Sequence, residues 1–174
     1  GDFVFLQAGT KLGAVSAKAF SYLIDYDDPF AFANSSQTYG ARVSGSFALS
    51  NAVKLNVLAS YARQKNMGQN PVRYEADFVL AEVGLGYNGF TLSGGYEKLG
   101  TDSKVGKAFQ TPLATLHKFN GWADLFLTTP GNGLEDYYVT LAKALPKVKA
   151  VQGVTANVIY HEFRSDVGNV KFGT

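Results

Sequence analysis

Apolar and polar residues alternate with period two along nearly the whole chain, and the spacing of an amphipathic helix is almost absent. Between Ser36 and Leu49, one parity holds Tyr39, Ala41, Val43, Gly45, Phe47 and Leu49, and the other holds Thr38, Gly40, Arg42, Ser44 and Ser46. The run YNGFTLSGGYEKLG repeats the pattern around an Asn-Gly pair, whose residues both accept positive φ and so favour a tight hairpin turn. The alternation predicts strands near residues 2–12, 14–26, 37–49, 53–64, 74–87, 90–99, 135–145 and 153–164, with a ninth starting at Asn169 to Phe172. Strands of soluble domains average about five or six residues, whereas strands that cross a membrane need about 9–11. The predicted strands match the second figure.

The connections sort by length. Gly13, Ser50-Asn51, Asn88-Gly89 and the segment Pro146 to Gly153 are short turns. Between them lie the longer links Asp27 to Ser36, Lys65 to Arg73 and Gly100 to Leu134. Strict alternation of short and long links is the habit of an up-and-down outer-membrane barrel, and a lipocalin-like barrel shares it in part. The faces agree with the membrane reading. Glu75, Asp77, Lys98 and Glu162 are charges on the apolar parity, and they gather at the long-link ends. Tyr22, Tyr26, Tyr39, Phe47, Tyr61, Tyr87, Phe90, Tyr96, Tyr137 and Tyr160 flank the apolar band, as interfacial girdles do. A charge at the lipid midplane costs about 2–4 kcal/mol. Arg42, Lys54, Asn56, Glu82, Glu97, Asn157 and His161 are therefore expected to line a wet lumen. Only the strand at 2–12 is mixed, with Phe3 and Phe5 sharing the parity of Gln7 and Lys11.

Composition narrows the function. The 174 residues include 19 Gly, 10 Tyr and 13 Phe, no Cys, and a net charge of +2. This is β-like, leaves no disulfide or thiolate metal site, and gives no basis for a nucleic-acid surface. No run of 18 apolar residues exists to form a spanning helix. No signal peptide is visible, and the chain opens inside a strand pattern, GDFVFLQAG, which reads as a processed or partial start. His117 and His161 stand apart, without a metal-ligand pattern. Asp25, Asp27 and Asp28 read as a solvated turn, with Ca²⁺ ligation as the alternative. TDSKVGK lacks the glycine spacing of a phosphate loop, and no nucleophile elbow occurs. The reading is thus of a protein that is not an enzyme, with no catalytic residue, cofactor or resident metal.

The block FQTPLATLHKFNGWADLFLTTPGNGLEDYYV (Phe109 to Val139) resembles a recurrent segment of the alginate-export family of outer-membrane porins. SQTYGARVSGSF, LNVLASYARQ, LAEVGLGYNGFTLSGGYEKLG and IYHEFRSD resemble the same family. The resemblance implies a monomeric β-barrel in a Gram-negative outer membrane, in contact with bilayer and lipopolysaccharide, whose polar lumen passes hydrophilic solutes. Barrels of that family have many more strands than the roughly eight seen here. The chain is accordingly expected to be a segment or a shortened relative, with its sheet edges paired by missing strands or by neighbouring copies. Carbohydrate or polyuronate export is one implied role. The mixture of Arg42 and Lys54 with Glu82 and Glu97 fits a general hydrophilic solute equally well.

The link from Gly100 to Leu134 is the strongest functional candidate, since a loop of this length is usually functional or disordered. Pro112 is placed to start a helical turn. His117, Lys118, Phe119, Trp122, Asp124 and Phe126 are the constriction candidates, the link either folding into the lumen or capping the mouth from outside. Two rival functions follow from the same pattern. One is a soluble β-barrel that binds small apolar ligands, which requires the apolar parity inside. The other is a structural outer-membrane component.

Overall fold

A computed structural model describes residues 1–113, 125–145 and 153–173. Eight long strands run in chain order: β1 (Asp2–Leu12), β2 (Val15–Asp25), β3 (Ser36–Ala48), β4 (Val53–Asn66), β5 (Glu75–Tyr87), β6 (Phe90–Leu99), β9 (Leu134–Leu145) and β10 (Val154–Arg164). A short β11 (Lys171–Gly173) completes a nine-stranded sheet, and β7 (Thr101–Asp102) pairs with β8 (Lys107–Ala108) in a separate hairpin. Every neighbouring pair in the large sheet is antiparallel, giving an all-β, up-and-down meander.

Strand placement follows the predicted alternation to within two residues. The tight turns explain the register. Asn88 and Gly89 both take positive φ, as a two-residue hairpin turn requires. In the turn before β4, the Ser50 hydroxyl accepts from the amides of Ala52 and Val53 at 3.2 and 3.1 Å. Tight turns occupy one end of the sheet and long links the other. Two expectations change. The sheet is open, because β1 and β11 form its edges and neither pairs with a further strand among the described residues. The link after β6 also carries the β7–β8 hairpin, which its composition did not reveal.

Register aligns whole rows of one character. Phe47, Leu55, Leu85, Leu92, Leu141 and Val158 are consecutive partners across six strands, an unbroken apolar row on one face, called here the outer face. One residue along each strand, the partners are Ser46, Asn56, Gly84, Ser93, Thr140 and Ile159, on the inner face. A slip of one residue at any hairpin would exchange the two sets, so the turns and the pattern specify the same pairing.

The buried core lies on the inner face at the long-link end. Ala62, Tyr74, Ala76, Leu99, Phe109, Leu134 and Phe163 cluster there, with Phe126 packed edge-on against Phe163 and Phe172. Glycines make room for aromatic rings on this face. A Cβ on Gly40 would meet the Phe20 ring at 2.3 Å, and one on Gly95 would meet the Tyr138 ring at 2.1 Å. Both rings therefore lie flat across a neighbouring strand.

Candidate functional site: the inner face and its cover

On the outer face, Val43, Val83, Leu85, Leu92, Val139 and Leu141 remain exposed, and Val158 is 73% exposed. This apolar field ends at tyrosines and ion pairs at the long-link end. Arg63 meets Asp77 at 2.8 Å, Lys65 meets Glu75 at 2.6 Å, and Tyr61 donates to Asp77 at 2.7 Å. Tyr96 stacks at a tilt on Tyr137 and donates to Glu135 at 2.7 Å. Lys98 pairs with Asp166, and Arg164 with Glu162 at 2.6 Å. At the opposite end the border is Tyr87 and Phe90, with the Lys143 ammonium 3.7 Å from the Phe90 ring centroid. Charges predicted to collect at the long-link ends do so as paired groups.

The inner face holds the predicted polar residues. Arg42 and Glu97 line one cavity of about 690 Å³ together with Lys18, Thr38, Ser44 and Ser60. Asn56 and Glu82 line a second cavity of about 380 Å³ with Lys11 and Ser44. Glu82 accepts from the Tyr138 hydroxyl at 2.9 Å. His161 Nδ1 lies 2.9 Å from Asp136 Oδ2, and its ring stacks on Phe163. Lys54 and Asn157 share this parity near the tight turns, where both are exposed. Tyr22 departs from its expected girdle position. It faces the larger cavity beside Phe5 and Phe20, which also accounts for the mixed pattern of β1: the inner wall is aromatic near the long links and polar farther down.

A segment of the long link covers the aromatic end. Phe109 is anchored by its amide, which donates to the Gly100 carbonyl at 2.8 Å, and its side chain enters the core. Gln110 then meets Gln64. Gln64 is 2% exposed, and its side-chain amide uses every hydrogen-bonding position it has. Its oxygen accepts from the Gln110 amide at 2.8 Å and from the Tyr74 hydroxyl at 3.0 Å. Its nitrogen donates to the Gln110 carbonyl at 2.9 Å and to Thr38 Oγ1 at 3.1 Å. Gln64 thus pairs with Gln110 as a strand backbone would, fixing the link across the inner face. Burial pushes the Tyr74 phenol up to about 12.

Other links join this cover. The Asn70 side chain donates to the carbonyls of Ala33 and Ser35 at 3.2 and 2.7 Å. Lys107 donates to the same Ala33 carbonyl at 3.0 Å, and burial lowers the pKa of its ammonium. The three long links after β2, β4 and β6 are therefore tied to one another.

Among the constriction candidates, Phe126 is half-buried and packs against the core, while His117, Lys118, Phe119, Trp122 and Asp124 fall outside the described residues. Sequence reasoning did not single out Gln64, Gln110, Lys18, Asp136 or Tyr138. Lys18 and Arg42 are direct ladder partners, a relation visible once the register is known. Nothing local marks Gln64, whose partner is 46 residues away. Among the described residues, no group of three or more His, Asp or Glu side chains is placed to hold a metal ion. The arrangement supplies hydrogen-bonding and charged groups along one face of the sheet, covered at one end by a tethered segment. Set against protein-family models, curated proteins and solved structures, the chain finds no match.

Proposed function

We propose that the protein is a passive channel of the bacterial outer membrane, related to the alginate-export porins, in which this sheet forms part of a closed transmembrane barrel. Solutes pass along the inner face, whose Arg, Lys, Glu, Asn, Ser and Thr side chains replace hydration contacts. The link tethered by Gln64 narrows the passage at the long-link end.

The observation that carries this reading is the outer face. An apolar field runs across the outer face from β3 to β10, is bordered by tyrosines and ion pairs, and has no layer packed over it among the described residues. Such a field in water would be a liability for association. Against acyl chains it is the required surface. Along β4, the outer positions from Val53 to Tyr61 span eight residue steps. At a rise of about 3.4 Å per residue and a tilt near 40°, they cover about 21 Å of membrane normal, close to the apolar band of known barrels. In lipid the edges at β1 and β11 must be paired, by further strands of the same barrel or by neighbouring copies.

One observation favours a soluble binder of apolar ligands: Phe5, Phe20, Phe78 and Leu80 also line the larger cavity. The exposed outer face argues against it. Reconstitution separates the two readings. The channel reading expects a protein that stays dispersed only in detergent and produces discrete conductance steps in planar bilayers. A protein monodisperse in plain buffer and silent in bilayers overturns it. Val83→Arg provides a second check, with an expected loss of about 2–4 kcal/mol of folding stability in lipid. A soluble protein would tolerate this exposed substitution.

A further inference from the structure

We propose that the larger inner cavity is a bipolar subsite that selects small zwitterionic solutes, carrying both an ammonium and a carboxylate, over simple anions. The proposal rests on the channel reading and names its solute class.

The inner-face charges are segregated by strand rather than mixed. Lys18 on β2 and Arg42 on β3 are ladder partners. The same row continues through Ser60 and Leu80 to Glu97 on β6 and Asp136 on β9. At one level of the wall, the sequence of side chains is thus two cations, two neutral groups and two acids. The next row has the same polarity, with Lys11 on β1 and Glu82 on β5. The acids differ in availability. Asp136 is engaged by His161 and Glu82 by Tyr138, while Glu97 lines the cavity that Lys18 and Arg42 also line.

The geometry suits a solute with separated charges. Arg42 and Glu97 stand three strands apart, which at about 4.8 Å per strand is ~14 Å along the sheet. Both have long side chains that face the shared cavity. The hydroxyls of Ser16 and Ser44 lie in the same cavity and offer hydrogen bonds to a peptide or amide body. A polyanion is attracted at Lys18 and Arg42 and repelled at Glu97. A zwitterion meets a partner at each end. The field is strongest at low salt and is screened within about 10 Å at 0.1 M.

The experiment uses the full chain in planar bilayers at low salt, with four solutes of similar size: glycylglycine (zwitterion), N-acetylglycine (anion), glycylglycinamide (cation) and N-acetylglycinamide (neutral). Each is titrated for its block of ionic current. Glycylglycine is expected to half-block at a concentration about tenfold below that of the other three, the size of two partly solvated ion contacts. Arg42→Gln and Glu97→Gln should each remove that advantage, and Arg42→Lys should retain most of it. Equal or stronger block by N-acetylglycine overturns the proposal, as does a glycylglycine preference that survives both glutamine variants. Loss of conductance in a glutamine variant also overturns it, because the residue would then be structural. A wild-type chain with no conductance at all overturns the channel reading and this proposal together.

Discussion

The two ends of the inner face are built from the same strands and yet are opposites. At the long-link end, Ala62, Ala76, Leu99 and Leu134 are buried beneath Phe109 and the Gln64–Gln110 pairing. At the tight-turn end, Lys54 and Asn157 are exposed on a face that nothing in the described residues covers. The difference comes from the links. A two-residue turn has no chain to spare, whereas a long link can return across the face and bury what it crosses. Stability should therefore be concentrated at one end, leaving the other free to vary.

The sharpest way to break this contrast is to open a hole at the covered end. Leu134 is 0% exposed, and Leu134→Ala should cost about 2–5 kcal/mol, measured by denaturant unfolding in detergent. Ile159→Ala, on the inner face in the row of Asn56 and 38% exposed, is expected to cost far less. Equal losses would mean that the core is not localised.

Next in size is the tether. Gln64→Leu keeps the bulk but leaves the Gln110 amide and carbonyl and the Tyr74 hydroxyl without their partner. A cost of about 2–3 kcal/mol is expected from those unpaired groups. If the protein is the channel proposed above, single-channel conductance should rise as the segment lifts from the inner face. Unchanged conductance would show that this cover does not limit the passage. Asn56→Leu, on the same strand and face but at the open end, serves as the control and should leave stability nearly unchanged.

What the sequence made legible, and what it did not, follows the same division. Strand limits, turn positions and the two faces were readable because each is a local property: period-two alternation, Asn-Gly chemistry, and charge placed away from the apolar parity. The seven residues expected to line a lumen share one face of the sheet for that reason. The cover was not readable. The partners of Gln64 lie on a distant link, on β3 and just before β5, so only the fold brings them together. Tyr22 was misassigned because an aromatic near a strand end looks the same in a girdle and in an inner wall. The difference is set by parity relative to the partner strand. Barrel closure was likewise inferred from link pattern and strand length, and the described sheet has two edges.

Smaller effects refine the tether. Tyr74→Phe removes one of the four Gln64 contacts and leaves the Gln110 pairing intact. A loss of about 1 kcal/mol is expected, with little change in conductance. The wild-type phenol should stay neutral to about pH 12, because burial raises it above the unfolded value near 10. Its share of stability is then full below pH 10 and lost as pH rises through 12. In the Phe variant, that part of the alkaline loss should vanish from pH-dependent unfolding curves. If the loss remains, it belongs to other tyrosines.

The smallest effect belongs to the residue next to the tether. Arg63 and Gln64 are consecutive on β4 and so point to opposite faces of the sheet at the same long-link end. Arg63 lies in the most elaborate ion-pair group of the outer face, 2.8 Å from Asp77 and 3.7 Å from Glu75, yet its side chain is 48% exposed. Exposed pairs of this kind are worth about 0–1 kcal/mol and are weakened by salt. Arg63→Gln should therefore cost less than 1 kcal/mol, and the difference from wild type should shrink between low salt and 0.5 M. The cost of Gln64→Leu should not change with salt, because no ion is involved. If Arg63→Gln proved the more costly of the two, the long-link end would be held by its rim of charges. The contrast between the ends would then be one of electrostatics on the outer face, with packing on the inner face a secondary matter.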